Sequence, residues 1–180
     1  NIALVLSRDQ NSEIYILNKN HQLKRLTHHF NIDTSPSWSP DGKKIAFTSD
    51  RSGTGAPQIY IMNSDEGDQS KVMRISFGTT YNDNPAWSPN GDQIAYTSRE
   101  GRQFQIRLYN LNTKKSEVIT KGSGSCEQPS WSPDGRFLIY RQRENSRYNL
   151  IIQRVGSDET RQLTFSGTGQ SPAWSPYFKH

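Results

Sequence analysis

Three carboxylates stand just ahead of three tryptophans. Asp33 lies five residues before Trp38, and Asp83 and Glu127 each lie four residues before Trp87 and Trp131. Thr34, Tyr81, Asn82, Asn84 and Gln128 accompany them. If the chain places these segments on one face, the acids would weakly attract a cation or the basic groups of a partner. The competing reading is that they cap local turns through hydrogen bonds to backbone. Gln170, the counterpart before Trp174, is uncharged, which argues against a tight metal site; no cofactor is expected.

Catalytic chemistry finds less support. The four histidines, His21, His28, His29 and His180, fall in no HExxH pattern, and there is no GxSxG elbow. The stretch KGSGSCEQ, 121–128, holds Ser123, Ser125 and Cys126 but lacks a Walker lysine and a following helix. It reads as a loop between repeats, and the chain reads as a non-enzyme. Cys126 is the single cysteine, so neither an intrachain disulfide nor a cysteine metal motif can form.

The elements that would carry the acids come from a repeat. PSWSPDG at 36–42 returns as PAWSPNG at 85–91, as PSWSPDG at 129–135 and in part as PAWSPYF at 172–178. The tryptophans are spaced by 49, 44 and 43 residues, a period of stacked or radial repeats. Each of the first three copies leads into a strand-like run: 43–49, 92–98 and 136–142. Second runs follow at 58–63, 105–110 and 149–154, and third runs at 71–76, 116–120 and 160–164. They are short, rich in Ile, Val, Tyr, Phe and Thr, and mostly alternate apolar with polar. No helical stripe is present.

Each repeat is therefore four strands, A to D, with the tryptophan on A, and the fold class is all-β: a β-propeller of four-stranded antiparallel blades, about four in this chain. The proline before each tryptophan is expected to bias its predecessor toward extended geometry. SP(D/N)G is the A–B hairpin turn, with glycine free to take positive φ. Trp38, Trp87 and Trp131 are expected in the core, packed between neighbouring sheets.

Residues 1–27 read as strands B, C and D without an A, and PAWSPYF reads as an A alone. Pairing of Ala173–Trp174 with Ile2–Leu6 would complete the first blade, with Tyr177 replacing a turn residue that no hairpin needs. The expected layout is one domain, 1–180. One split blade takes 1–30 plus 170–180, and 31–80, 81–124 and 125–169 are further blades.

Bulk properties agree with a lean, aromatic core. Of 180 residues, 31% are hydrophobic and 11% aromatic, and mean hydropathy is −0.88. The net charge of +5 is spread without a long basic run, so no nucleic-acid partner is expected. No apolar run could span a membrane, so no direct insertion is expected. The opening residues do not read as a signal peptide, which suits a cytoplasmic chain or a secreted one already processed or shortened.

The repeat, best seen in PSWSPDGKKIAFTSDRSGTGAPQIYIMN at 36–63, resembles that of the TolB-type propeller family. The stretch from IALVLS to TSDR and the ending SPAWSPYF extend the likeness over nearly the whole chain. The resemblance implies a periplasmic, non-enzymatic component of the Tol–Pal system, which supports outer-membrane integrity and cell division. Its implied partner is the lipoprotein Pal, with other Tol proteins as further candidates. The loops before strand A are then the expected binding mouth, with Asp33, Thr34, Tyr81, Asn82, Asp83, Glu127 and Gln128 as contact residues. The family has six blades and a separate α/β domain; the four repeats read here are expected to be a C-terminal propeller portion of such a protein or a shortened relative. The repeats then close alone, stay an open arc or complete a ring with a second copy. The alternatives are the non-catalytic propeller of a serine peptidase and a carbohydrate-active lyase-like propeller.

Overall fold

The computed structural model describes residues 1–8, 11–122 and 124–175. Tyr177, Ser123 and His180 lie outside them. The described residues form fifteen strands and no helix. β1(Ile2–Leu6), β2(Glu13–Leu17) and β3(Leu23–Arg25) make a three-stranded sheet in that order. Three four-stranded sheets follow in chain order. One comprises β4(Asp33–Trp38), β5(Lys44–Ser49), β6(Gln58–Asn63) and β7(Met73–Arg74). The next comprises β8(Asn82–Trp87), β9(Gln93–Glu100), β10(Gln103–Asn110) and β11(Lys115–Val118). The last comprises β12(Ser125–Trp131), β13(Phe137–Glu144), β14(Arg147–Arg154) and β15(Thr160–Gln162). These are the blades that the repeat spacing requires, each strand falling on its sequence run to within a few residues.

The chain divides into two compact units, Asn1–Pro85 and Ala86–His180, with the boundary inside β8. In the first, Ile14, Ile16, Leu26, Ile45, Phe47, Tyr60 and Met62 form a core, with half-buried Trp38 packed against it. In the second, Ala95, Ile106, Leu108, Cys126, Trp131, Leu138, Tyr140 and Ile151 do the same. These cores lie between successive sheets. Five consecutive residues of β5 and of β6 are therefore buried, and the strict alternation expected of a half-exposed strand is lost there.

The A–B turn forms as the motif dictates. The amides of Gly42, Gly91 and Gly135 donate to the carbonyls of Ser39, Ser88 and Ser132 at 2.9, 3.0 and 2.9 Å. The serine organises the turn. Ser39 Oγ donates to Asp41 Oδ1 at 2.6 Å and accepts from the Lys44 amide at 2.9 Å. Ser132 treats Asp134 and Phe137 in the same way. Those hydroxyls hold the Asp41 and Asp134 carboxyls below their ordinary range.

Gly42 and Gly135 both have φ +70°, but only Gly135 faces a neighbour: a Cβ there would stand 2.7 Å from Asn90 Nδ2. Gly42→Ala is expected to lose about 1–2 kcal/mol from left-handed geometry alone. Gly135→Ala should lose more, because Asn90 must also shift. Chemical denaturation of the two variants checks this, and equal losses would show that the Asn90 contact is soft.

Two expectations fail. The residue before each motif proline is left-handed rather than extended: φ is +51° at Ser35, +52° at Asn84, +58° at Gln128 and +44° at Ser171. The cause in two of the blades is a β-bulge. Ser35 and Pro36 together oppose the single residue Phe47, and Gln128 and Pro129 oppose Tyr140. Side-chain acceptors hold the bend: the Asn84 amide donates to Asp83 Oδ1 at 2.6 Å and the Gln128 amide to Thr97 Oγ1 at 3.1 Å.

The second failure concerns Ala173–Trp174, which forms no strand with Ile2–Leu6. β1 pairs only with β2 among the described residues, and 172–175 carries no strand. That segment is tied to the last sheet instead. Trp174 Nε1 donates to the Ser130 carbonyl at 3.2 Å, and the Ser171 amide donates to Gln128 Oε1 at 3.2 Å.

Candidate functional site

Strand register and spacing from the tryptophan sort five of the seven candidate residues into two groups. Asp33 opposes Ser49 in β5, and Cys126 opposes Gln142 in β13, so Asp33 is the counterpart of Cys126. Asn82, like these two, lies five residues before its tryptophan. All three are buried. Thr34, Asp83 and Glu127 occupy the next position and stay partly exposed. Grouping Asp33 with Asp83 and Glu127 therefore mixes two registers. One residue of offset sends a strand side chain to the other face.

Asp33 belongs to an interior ion network of the first unit. Arg51 Nη2 donates to Asp33 Oδ2 at 2.7 Å and lies 3.8 Å from Asp68 Oδ2. The Arg51 guanidinium also stacks over the Phe47 and Tyr60 rings, 5.0 and 5.6 Å from their centroids. Asp33 Oδ1 is buried without a hydrogen bond. Burial raises the Asp33 carboxyl to about 6, against the opposing pull of Ser49 and Arg51. Asn82 is enclosed as well: its Nδ2 donates to Gln58 Oε1 at 2.9 Å, and its Oδ1 accepts from Thr79 Oγ1 at 3.0 Å. The expected placement of Asp33 and Asn82 at an accessible mouth is therefore corrected. Their polar atoms serve the interior.

Thr34, Tyr81 and Asp83 do come together. They line a cavity of about 230 Å³ in the first unit with Ile32, Thr48, Asp50, Gly55 and Pro57. Asp83 Oδ1 accepts from Thr48 Oγ1 at 2.8 Å and Ser35 Oγ at 3.1 Å, while Tyr81 Oη donates to Asp83 Oδ2 at 3.3 Å. The carboxylate is thus fixed by its neighbours yet open to the cavity. It suits recognition of a cationic or hydrogen-bonding group more than proton transfer. In the second unit, Glu127 Oε2 accepts from Arg141 Nη2 at 2.7 Å, and both side chains are partly exposed. Arg141 in turn stacks over Tyr148, 4.7 Å from its centroid. Gln128 next to it braces the Ser171 amide.

Burial pushes the Cys126 thiol up to about 12, so it stays protonated and inert at neutral pH. Among the described residues, no group of three or more His, Cys, Asp or Glu side chains is placed to hold a metal.

A recurring device escaped the sequence reading. The Ser or Thr that follows strand D reaches back to the start of strand C in each blade. Thr27 bonds Glu13, Ser76 bonds Gln58, and Thr120 bonds Gln105. Each of these hydroxyls also accepts the next amide of strand C, from Ile14, Ile59 and Ile106 at 2.9 Å in every case. Thr164 accepts the Leu150 amide in the same way. The signal was present in the third runs: RLT, RIS, VIT and QLT each end on a hydroxyl residue.

Successive antiparallel blades, each strand A ending on a tryptophan with a left-handed residue before its proline, define a propeller repeat protein; the candidate residues expected in loops before strand A lie within strand A itself, Tyr81 excepted. The chain belongs to the TolB beta propeller domain family, which it matches over residues 1–178. A segment of 59 residues is 48% identical to the Tol-Pal system protein TolB of Bordetella pertussis, covering 32% of this chain and 13% of that protein. The crystal structure of TolB from Acinetobacter baumannii superposes with a TM-score of 0.84 at 32% identity, over 97% of this chain and 43% of that one. A putative TolB from Agrobacterium tumefaciens shares the fold at 22% identity and a TM-score of 0.79, over 90% of this chain and 60% of that one. The chain thus spans less than half of the Acinetobacter protein. No helix among the described residues is long and apolar enough to cross a membrane.

Proposed function

We propose that this propeller is a non-enzymatic, protein-binding part of the Tol–Pal envelope system, working in the periplasm in support of outer-membrane integrity and cell division. Pal is the partner that this reading names. The contact residues are Thr34, Tyr81 and Asp83 in the first unit, and Glu127 and Gln128 in the second. One observation carries the reading: Asp83 and Glu127 occupy the same repeat position, each directly before a left-handed residue, Asn84 and Gln128, and each left partly exposed. Bent backbone of this kind costs of order 1–3 kcal/mol per residue and gathers at functional sites. All but Tyr81 lie on strand A, which holds them rigidly, and the family membership supports the system.

The test must separate charge from scaffolding, because Asp83 also braces Ser35, Thr48 and the Asn84 amide. Alanine would remove both roles together. Asp83→Asn combined with Glu127→Gln removes the charges and keeps most of the shape. The variant is expected to bind Pal about tenfold more weakly, with the deficit shrinking at high salt as charge attraction is screened. Its unfolding midpoint should change little. Unaltered affinity with a lower midpoint would assign both acids to turn architecture and end the proposal.

A further inference from the structure

The cavity of the first unit is a wall of hydrogen-bond acceptors. Two carboxylates, Asp50 and Asp83, and three hydroxyls, Thr34, Thr48 and Tyr81, line its volume of about 230 Å³. Two of those hydroxyls have already spent their protons. Thr48 Oγ1 donates to Asp83 Oδ1 at 2.8 Å, and Tyr81 Oη donates to Asp83 Oδ2 at 3.3 Å. What they offer an entering group is lone pairs. Asp83 Oδ1 also accepts from the Ser35 hydroxyl and the Asn84 amide, so Oδ2, with its one long bond, is the freer oxygen. Asp50 Oδ1 accepts the Ile32 amide at 2.9 Å, and its Oδ2 is left without a donor among the described residues. Whatever fills the cavity must therefore bring donors.

It must also bring positive charge, which the chain itself does not supply. No lysine or arginine is among the lining residues, and neither Asp50 nor Asp83 forms an ion pair among the described residues. This sets the two apart. Glu13, Asp33, Glu100 and Glu127 each hold an arginine nitrogen within 2.7 Å. Arg51, next in sequence to Asp50, is committed to Asp33.

The remaining walls say which kind of cation fits. Ile32, 52% exposed, and Pro57 stand beside the acids and offer apolar surface to an aliphatic stem. A metal ion has no use for such surface, and among the described residues no group of three or more His, Cys, Asp or Glu side chains is placed to hold one. A guanidinium carries five N–H donors in one plane and is more weakly hydrated than an ammonium, so it leaves water for a half-enclosed, acceptor-rich cavity at lower cost. We propose that this cavity takes the side chain of an arginine presented by the protein partner, its guanidinium between Asp83 and Asp50 and its stem along Ile32 and Pro57. This assignment rests on the reading of Thr34, Tyr81 and Asp83 as partner contacts and adds Asp50 to them.

The test uses the unaltered chain and two small probes of equal charge, N-acetyl-arginine amide and N-acetyl-lysine amide, titrated while amide chemical shifts are followed. The arginine probe is expected to saturate, to shift the amides of Thr34, Asp50 and Asp83, and to bind at least about fivefold more tightly than the lysine probe. Asp50→Asn keeps an oxygen for the Ile32 amide and removes the charge; it should weaken the arginine probe about tenfold. Equal affinity for the two probes, shifts confined to other residues, or displacement of the arginine probe by an equimolar amount of calcium chloride would each overturn the assignment. No partner protein is present in this titration. Selective arginine binding at Asp50 and Asp83, found together with unaltered partner affinity in Asp83→Asn/Glu127→Gln, would uphold the guanidinium site and overturn only the reading of it as the Pal contact.

Discussion

Replacing Trp131 with alanine lowers the unfolding free energy by about 3–5 kcal/mol, the range for a large aromatic removed from a packed core. Trp131 is 9% exposed and packs in the cluster of Ala95, Ile106, Leu138, Tyr140 and Ile151. These residues come from two sheets, so the indole is shared packing for both. Its N–H also reaches back to the Ala86 carbonyl at 2.9 Å. Truncation opens a cavity between the sheets and strips that carbonyl of its donor. Trp131→Phe separates the two losses. It retains most of the apolar area and should cost about 1–2 kcal/mol from the vacated hydrogen bond and a small void. Denaturant titration of both variants reads the difference. A Trp131→Ala curve that overlays the parent would remove the tryptophan from the core.

The second large effect is a loss of stability with rising pH, centred on Asp33. Its carboxyl is raised from 3.8 to about 6, burial being the main cause. Between those values the folded chain holds a proton that the unfolded chain has released. Stability from this group is therefore fully present below about pH 4 and is lost as pH rises through 6. The two limits differ by roughly 3 kcal/mol, at 1.36 kcal/mol for each unit of pKa. Above pH 6 the ionised carboxylate stays buried beside Arg51, 2.7 Å away, with Oδ1 lacking any donor. Asp33→Asn should flatten this part of the pH profile, because the amide does not titrate. Unfolding free energies measured from pH 4 to 7 for parent and variant decide the matter. Parallel profiles would mean that Arg51 keeps Asp33 ionised throughout.

Much of the molecule was legible before any coordinates. Four tryptophans at nearly even spacing, the first three each followed by a turn motif and three short β-rich runs, determine four-stranded antiparallel blades. These features are local. A proline, an aspartate and a glycine specify a hairpin wherever they occur together, and the repeat makes each copy confirm the others. The Trp−4 acids were legible for the same reason, since repetition marks a position independently of its neighbours.

What the tertiary structure decided depends on register and on contacts distant in sequence. Asp33 looked like Asp83 because both are acids near a tryptophan, but one residue of strand parity puts Asp33 inside with Arg51 and leaves Asp83 at a cavity. In two blades the left-handed residue before the proline follows from a bulge, at Ser35 and Gln128, and a bulge arises from how two strands pair rather than from either strand alone. Docking of Trp174 on Ser130, rather than pairing of its segment with Ile2–Leu6, rests on a carbonyl 44 residues away. Local sequence specifies the conformation of each strand. Which edge a strand meets, and which face its acids take, is set by packing against residues that the local pattern cannot name.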